Sequence, residues 1–322
     1  MVSDSATMRD HSGADGGAKD VVQPFQLDAS NLRGRHVVLD DVLNDIIDRH
    51  DYPRPVARLM SEALVVAVLL ADMLKFDGVF TLQAKGDGAV PLLVIDITSA
   101  HELRGYAMVD HERLDRLEAQ PSAEPAASAG DLLGQGYLAF TVDPGQNSEQ
   151  YQGIVELEGE SMADFVRHYF RQSEQIDTGL KVAVEEQNGD WRAAAISLQR
   201  LPDQPQAGEA APQSQGEEDW RRTMMLLGTA SSEELLDPAI PPRALLYRLF
   251  HEEGVRVFPV TPLARGCRCS EERVISILAG ISAESLAEYA DEAGQVTMTC
   301  EFCAESYVFT LDQIAERARA AR

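Results

Sequence analysis

The four cysteines of the chain are confined to positions 267–303 and fall into two short pairs. Residues 1–266 contain no cysteine, whereas Cys267 and Cys269 form a Cys-x-Cys pair and Cys300 and Cys303 form a Cys-x-x-Cys pair. Zn²⁺ prefers four thiolates in a tetrahedron, and two chelating pairs joined by a longer segment provide them. Four cysteines confined in this way are typical of a metal or redox site rather than of a disulfide framework. The sequence therefore predicts one zinc ion bound by these four residues.

The residues around the cysteines have the pattern of a small folded module. Residues 295–299 alternate as a strand does and residues 307–309 form a return strand, so Cys300 to Cys303 should lie at a hairpin turn. The segment between the two cysteine pairs is typical of two helices, and another helix should follow the hairpin. Their predicted N-terminal caps are Ser270, Ser282 and Thr310, the last in a capping box with Gln313.

Two properties of the cysteine pairs favour a redox switch over a purely structural zinc site. The α-carbons of a Cys-x-Cys pair can lie within the roughly 4.4–6.8 Å that a disulfide needs, so each pair could oxidise locally, and strained disulfides are readily reduced. Zinc binding can supply about 10–16 kcal/mol of folding free energy to a small module, whereas a very short disulfide loop supplies roughly 2 kcal/mol. We therefore hypothesise that oxidation ejects the zinc and unfolds the segment around residues 255–310.

The rest of the chain is typical of an α+β protein with a helical linker. Residues 1–22 are polar and are predicted to be a disordered extension. Residues 23–201 combine strand patterns with a long apolar helix over 56–74, and form an N-terminal mixed sheet-and-helix domain. Residues 202–254 begin with a stretch rich in Pro, Gln and acids, over 202–219, and continue with amphipathic helices, as a linker does. Residues 255–322 form the small C-terminal zinc-binding domain.

Composition limits the partners and the location of the protein. Acidic residues outnumber basic ones by 53 to 28, for a formal net charge of −25, which is unfavourable for binding to nucleic acid or to anionic lipid. The longest apolar run, residues 63–71, is far shorter than the roughly 18 residues of a transmembrane helix. The first twenty residues lack the apolar stretch of a secretion signal. We expect a cytoplasmic protein with no nucleic-acid or membrane partner.

The sequence carries no recognisable catalytic motif. A P-loop, a serine nucleophile elbow and a Gly-rich dinucleotide loop are all absent, and no second histidine follows His251 at the spacing of a metalloprotease. We therefore predict that the protein is not an enzyme.

Several motifs in both predicted domains resemble the redox-regulated thirty-three-kilodalton heat-shock chaperonins. They are the two cysteine pairs, residues 249–257 (LFHEEGVRV), residues 150–155 (QYQGIV) and residues 169–175 (YFRQSEQ). The resemblance extends from Phe25 over nearly the whole remaining chain. The extension before residue 21, the insertion near 202–216 and the loop near 120–130 depart from it, and none of them contains a cysteine.

The resemblance implies an ATP-independent holding chaperone that binds unfolding client proteins under oxidative and heat stress. It implies that the reduced, zinc-bound form is inactive and that oxidation produces the disulfides Cys267–Cys269 and Cys300–Cys303. The zinc domain and the linker helices would then loosen, and the protein would form a homodimer that holds clients. The residues that contact clients are not assigned. Residues 224–227 (MMLL) could form such a surface or a helix packed on the first domain, and both can hold in different redox states; from the sequence alone we favour the packed helix.

Two other functions remain alternatives. A zinc-ribbon nucleic-acid adaptor needs a basic face, but residues 261–322 carry ten acids and six bases. A thiol–disulfide oxidoreductase would use Cys300 and Cys303, but that chemistry usually places its Cys-x-x-Cys at the start of a helix.

Overall fold

A computed structural model describes residues 19–74, 76–119, 127–144, 150–174, 176–200 and 213–320. The strands are β1 (Val21–Leu27), β2 (Leu32–Leu39), β3 (Val79–Gly86), β4 (Leu92–Thr98), β5 (Glu102–Met108), β6 (Gly136–Asp143), β7 (Tyr151–Glu156), β8 (Thr178–Gln187), β9 (Asp190–Arg200), β10 (Val255–Val257), β11 (Thr261–Pro262), β12 (Ala264–Arg265), β13 (Gln295–Thr299) and β14 (Ser306–Thr310). The helices are α1 (Asp41–Ile47), α2 (Arg54–Met73), α3 (His111–Glu118), α4 (Ala129–Leu133), α5 (Met162–Tyr169), α6 (Gln213–Thr229), α7 (Ser232–Leu236), α8 (Pro242–Phe250), α9 (Glu271–Leu278), α10 (Ala283–Tyr289) and α11 (Leu311–Ala320). The predicted α+β class is confirmed.

One antiparallel sheet, one mixed sheet and one hairpin organise these elements. Sheet A has the strand order β10-β1-β2-β9-β8, with β11 also paired to β1. Sheet B has the order β12-β5-β4-β3-β6-β7, and β13 pairs with β14 in a separate hairpin. The predicted hairpin between β8 and β9 is present, and its turn residues Asn188 and Gly189 both have positive φ, at 57° and 97°. That conformation matches the Asn-Gly turn signal in the sequence.

Helix α2 is buried because it lies between the two sheets. Pro55 occupies its first turn, where a missing N–H costs nothing. All nine residues from Ala63 to Ala71 are buried, and they pack with inward residues of both sheets, including Leu39 and Ile95. A helix that is apolar on every side requires such a site. The buried helix predicted from this run is confirmed.

The second face of sheet A is covered by the linker helices α6, α7 and α8. Alternate residues of β2 point to opposite sides, so Val37 packs with α2 and Val38 packs with the linker helices. The Phe25 ring of β1 stacks on Phe250 at the end of α8, with the ring centroids 5.9 Å apart. Helix α6 is tied to the same assembly by Arg222, which donates two hydrogen bonds to Glu253 at 2.7 and 3.0 Å.

The start of the linker differs from the sequence prediction. Residues 201–212 lie outside the described residues, but α6 begins at Gln213 within the stretch 202–219 that we expected to lack regular structure. The physical reason is that the helix extends from its packed part, which begins near Trp220, towards its N-terminus through the exposed residues 216–218. The predicted surface loop 120–130 lies mostly outside the described residues too, and α4 begins at its end, at Ala129.

Strands β1 and β2 were not predicted individually from the sequence. Pro24 interrupts the strand pattern of β1, and β2 contains charged and small residues. In the structure Arg35 of β2 is buried because its guanidinium pairs with Asp72 at 2.6 Å. Val21 and Val22, which the prediction assigned to the disordered extension, belong to β1, and residues 1–18 lie outside the described residues.

After α8 the chain forms a strap, residues 255–265, that joins the two sheets. Strands β10 and β11 pair with β1 at the edge of sheet A. Strand β12 then pairs with β5 at the edge of sheet B. The cysteine segment follows directly, so its position is set by both sheets. No helix within the described ranges has the length and apolar character needed to cross a bilayer.

His36 of β2 makes the covering of sheet A sensitive to pH. Its side chain is 2% exposed, and neither ring nitrogen has a hydrogen-bond partner among the described residues. Burial lowers the pKa of His36 to about 4, although the nearby carbonyl of Pro242 favours the protonated ring slightly. The unfolded chain, with an ordinary histidine pKa, takes up a proton first. The contribution of His36 to stability is therefore complete above about pH 6.5 and is lost as the pH falls towards about 4.

We expect the free energy of unfolding to fall by about 2 kcal/mol more in the natural protein than in His36→Leu between pH 7 and pH 5. Urea unfolding followed by circular dichroism at the two pH values measures this difference. His111→Leu, at an exposed position, serves as the control and should keep the natural pH dependence. Equal pH dependence in His36→Leu and the natural protein would contradict the role given to His36.

Candidate metal centre

The Cys-x-x-Cys pair lies in the turn of the β13–β14 hairpin, as predicted. The last pair of the hairpin ladder is Thr299 with Ser306, and residues 300–305 form the turn between them. The Cys300 N–H donates to the Glu305 carbonyl at 2.9 Å, and the Ala304 N–H donates to the Cys300 carbonyl at 2.8 Å. These bonds curl the backbone so that Cys300 and Cys303 point the same way.

The predicted helices flank this hairpin. Ser270 accepts a hydrogen bond from the Arg273 N–H at the start of α9, and Ser282 accepts one from the Ser285 N–H at the start of α10. The predicted cap of α11 is present as well, since the Thr310 hydroxyl accepts from the Gln313 N–H at 3.3 Å. The helices and hairpin, residues 266–320, are called the cysteine module below.

The cysteine module has a core of its own, and that core is small. It consists of Val274, Leu278, Leu286, Val296, Phe309 and Ile314, none of which belongs to the two larger cores. A module of this size buries too little apolar surface to be stable by packing alone, and natural proteins of that kind use a metal or disulfides. The small core is therefore consistent with a metal centre in the same module.

The structure brings the four sulfur atoms together at distances that fit a tetrahedral ion. All four lie within 4.8 Å of one another. The Cys267 and Cys300 sulfurs are 3.7 Å apart, and the Cys269 and Cys303 sulfurs are 3.3 Å apart. Four thiolates at about 2.3 Å from a Zn²⁺ ion would be about 3.8 Å from one another. The donor set and its spacing therefore fit zinc, and the two shortest separations join cysteines from different pairs.

In the absence of a bound ion, the thiols of the cluster differ in pKa. Burial opposes ionisation of Cys267, but hydrogen bonds from the backbone and side chain of Cys269, together with others, outweigh it and bring the pKa of Cys267 to about 6. Burial raises the pKa of Cys300 and raises that of Cys303 well above its usual range. Several thiolates this close repel one another. A bound cation supplies the positive charge that lets all four ionise together.

Two side chains contact the sulfur atoms directly. The Tyr307 hydroxyl, on β14, donates to the Cys269 sulfur at 3.2 Å. The Arg104 guanidinium, on β5 of sheet B, lies 3.8 Å from the Cys267 sulfur through Nη1. Residues beyond the ligands orient a metal site and adjust its charge. One of these two residues belongs to the module, and the other belongs to sheet B.

Phe302, between the cysteines of the turn, packs against the N-terminal part of the protein. The Arg104 guanidinium lies 3.9 Å from the centre of its ring, and the Tyr106 ring meets it edge-on with the centroids 6.4 Å apart. The Phe302 carbonyl is 3.3 Å from Nε2 of His50, and Arg49 donates to the Cys303 carbonyl at 3.2 Å. The turn that carries the Cys-x-x-Cys pair is thus part of the contact with sheet B and with the turn that follows α1.

A buried carboxylate joins the two sides of this contact. Asp96, on β4, accepts hydrogen bonds from Arg104 at 2.9 and 2.5 Å and from Arg268 at 2.6 Å. Arg268 is the residue between Cys267 and Cys269. Burial opposes ionisation of Asp96, but the hydroxyl of Thr81 and the two guanidinium groups lower its pKa overall.

Comparison with known proteins identifies the family. A family model described as Hsp33 protein matches residues 20–310. The chain belongs to the Hsp33 family. The 33 kDa chaperonin of Caulobacter vibrioides is 37% identical over 292 residues, which cover 89% of this chain and 94% of that protein. The 33 kDa chaperonin of Pseudomonas syringae pv. tomato is 36% identical over 298 residues, covering 92% and 93%. The resemblance stated from the sequence motifs is confirmed.

The fold agrees with this membership. The crystal structure of the 33 kDa chaperonin (heat shock protein 33 homolog) of Thermotoga maritima matches with a TM-score of 0.75 at 21% identity. The match covers 94% of this chain and 98% of that one. The Hsp33 fold thus includes the cysteine module as well as the two sheets.

The residues of this Hsp33-family chain that contact the cysteine module from the N-terminal part could not be found from the sequence. Arg49 lies in the turn after α1, Asp96 lies in β4, and Arg104 and Tyr106 lie in β5. No spacing rule links them to the cysteines. A weak signal is Arg268 itself, a basic residue between two predicted metal ligands in an acidic chain. Only the pairing of β12 with β5 brings these positions together.

The other sequence-predicted candidate, residues 224–227, is packed on sheet A. Leu227 is buried in the core beneath the linker helices, and Met224 lies so close to Gly179 of β8 that a Cβ there would be 2.4 Å from its sulfur. Met225 is exposed, at 65%. The packed helix that we favoured is therefore present in this conformation.

We expect the reduced protein to bind one Co²⁺ ion per chain with the absorption spectrum of a tetrahedral tetrathiolate site, because the four sulfurs have that spacing. Cys303→Ser should change the thiolate-to-cobalt bands and weaken binding at least tenfold. Ser276→Ala, on α9 of the same module, is the control and should leave both unchanged. A Cys303→Ser protein with the natural spectrum would show that Cys303 is not a ligand.

Proposed function

We propose that the protein is a redox-regulated, ATP-independent holding chaperone that binds unfolding proteins under oxidative and heat stress. In the reduced form Cys267, Cys269, Cys300 and Cys303 hold one Zn²⁺ ion and the protein is inactive. The proposal is supported above all by the position of the cysteine cluster, which directly follows the strap 255–265 and the linker helices that cover sheet A. Loss of the metal centre would therefore loosen the linker helices, which cover the outer apolar face of sheet A.

The face beneath the linker helices is suited to holding unfolded chains. Its residues are apolar, are buried in this conformation and come from four strands of sheet A, namely Phe25, Leu27, Leu32, Val38, Ala183, Ala194, Ile196 and Leu198. An exposed apolar patch of this kind would bind other apolar segments without selecting a sequence. The linker helices would expose their own apolar sides at the same time, including Leu227, Leu246 and Phe250.

Oxidation supplies the signal in this proposal. Each disulfide forms when two cysteine sulfurs give up two electrons in total, and one molecule of hydrogen peroxide takes up those electrons with two protons and becomes two waters. We propose the pairs Cys267–Cys269 and Cys300–Cys303, which the resemblance to the redox-regulated chaperonins implies. Disulfides do not bind zinc as thiolates do, so the cysteine module would lose the stabilisation that the ion provides.

Partners and location follow from the same proposal. The oxidised protein would form a homodimer and hold client proteins in the cytoplasm. The net charge of −25 disfavours nucleic acid and anionic membranes as partners. Enzymatic activity is not part of the proposal. An oxidoreductase is disfavoured because Cys300 and Cys303 lie in a hairpin turn and not at the start of a helix.

Zinc release and suppression of client aggregation, measured on one sample before and after peroxide treatment at mild heat, test the proposal. We expect zinc to leave and holding activity to appear together, because the same cysteines bind the ion and stabilise the strap. Retention of zinc with no activity would limit the site to a structural role and overturn the redox switch. Holding activity that is equal before and after treatment would overturn the regulation but not the chaperone function.

Arg222→Met should partly activate the reduced protein. Glu253 is 2% exposed, and without Arg222 its carboxylate would be buried without that partner, at a cost of roughly 1–3 kcal/mol to the docking of α6. The measurement is suppression of client aggregation by the reduced, zinc-loaded variant. The control is Arg221→Met, at the exposed neighbouring position, which should remain as inactive as the natural protein. If the Arg222→Met protein binds one zinc ion per chain and is still inactive, weakening the docking of α6 does not activate the protein, and this prediction is contradicted.

A further inference from the structure

The contact between the cysteine module and sheet B depends on charge more than on apolar packing. No buried residue of the module belongs to either large core, so the two parts share no hydrophobic core. Among the described residues, the strand pairing that leads into the module is that of β12, at the end of the strap, with β5, and it is two residues long. The side chains that bridge the contact are mainly Arg49, Arg104, Arg268 and Asp96, together with the ring of Phe302.

Arg104 is placed to interact with both the carboxylate and the cysteine centre. Its guanidinium is 14% exposed, is fixed by Asp96 on one side and lies against Phe302 on the other. The remaining nitrogen, Nη1, is directed at the Cys267 sulfur. A planar guanidinium held in this way offers a fixed positive charge to whatever charge the sulfurs carry.

The charges around Asp96 do not cancel. One carboxylate is shared by the two guanidinium groups of Arg104 and Arg268, so one positive charge remains beside the cysteines. Arg49 and Glu301, at the edge of the contact, add one charge of each sign. Glu102 beside Gly266 and Glu305 near Tyr307 are further acids, so the excess positive charge belongs to the Asp96 group itself. A Zn²⁺ ion with four thiolates carries two negative charges, which are opposite in sign to this excess.

We propose that Arg104 holds the cysteine module on sheet B by its attraction to the negative charge of the reduced centre, so that oxidation detaches the module by removing that charge. This inference rests on the proposed function, because it requires the thiolates to be oxidised. Four thiolates give four electrons to two molecules of hydrogen peroxide, which take up four protons and become four waters. Two neutral disulfides remain and the Zn²⁺ ion leaves, so the centre no longer carries a net charge to attract Arg104.

Hydrogen exchange followed by mass spectrometry reports docking separately from chaperone activity. The amide of Ala264 donates to the His101 carbonyl at 3.1 Å, and that of Gly266 donates to the Leu103 carbonyl at 2.9 Å. These amides are protected only while the strap and the module remain on sheet B. The amides of the β13–β14 hairpin report the folding of the module itself.

In the reduced protein, with zinc added to one ion per chain, Arg104→Gln should speed exchange at Ala264 and Gly266 about tenfold while exchange in the hairpin stays unchanged. Arg104→Lys, which keeps the charge without the planar fork, should give an intermediate rate. The matched control is Arg113→Gln on α3, an arginine remote from the cysteines that donates to backbone carbonyls, and it should exchange like the natural protein. Natural rates in Arg104→Gln would overturn the proposal.

Salt provides a second measurement that needs no variant. Raising the salt concentration from about 0.05 to about 0.5 M should speed exchange at Ala264 and Gly266 in the natural protein, while the hairpin amides keep their rate. Salt-independent rates would overturn the proposal, as would full protection at these amides after oxidation has released the zinc. Loss of protection on oxidation without any holding of clients would keep the role of Arg104 and overturn only the proposed chaperone function.

Discussion

Sheet A has two apolar faces, and the rest of the structure depends on covering both of them. The alternation of side chains in β2 and β9 sends one set of residues towards α2 and the other towards the linker helices. Helix α2 lies between the sheets and is held by contacts on every side. The linker helices lie on the outer face, with sheet A on one side and solvent on the other. The linker helices are therefore packed on fewer sides than α2. Of the two, they are the elements whose separation from sheet A would leave the core around α2 intact.

The strap connects the linker helices on the outer face of sheet A to the cysteine module. Strands β10 and β11 continue from α8 along the edge of sheet A, and β12 fixes the chain to sheet B just before Cys267. Each of these pairings is only two or three residues long, so none is strong by itself. The small module that carries the four clustered cysteines is thus connected in sequence and in space to the helices that cover sheet A.

The contact between the module and sheet B is polar where the rest of the interior is apolar. Asp96 would be costly to bury alone, and its two guanidinium partners come from opposite sides of the contact. The stability of such a polar contact depends on the geometry and the net charge of its groups, whereas the stability of apolar packing depends on the area that is buried. Under the proposal made for Arg104, a change in the charge of the sulfurs would alter docking while the core around α2 stays intact.

The sequence by itself determined the local features of this protein. The buried helix α2, the Asn188-Gly189 hairpin, the capped helices α9 to α11 and the hairpin turn at Cys300 follow from patterns within about twenty residues, where periodicity and capping act. Strands β1 and β2 were not predicted because Pro24 and Arg35 are unusual in a strand. Their fit depends on contacts with residues that are distant in sequence, such as that of Arg35 with Asp72. The tertiary structure alone decided the rest, namely the covering of sheet A, the strap and the pairing of Arg104 and Asp96 with the cysteine module. Many of these contacts join residues more than one hundred positions apart, such as Phe25 with Phe250 and Arg104 with Cys267. The local sequence pattern does not specify which distant residue will pair with a given charge or cover a given apolar face.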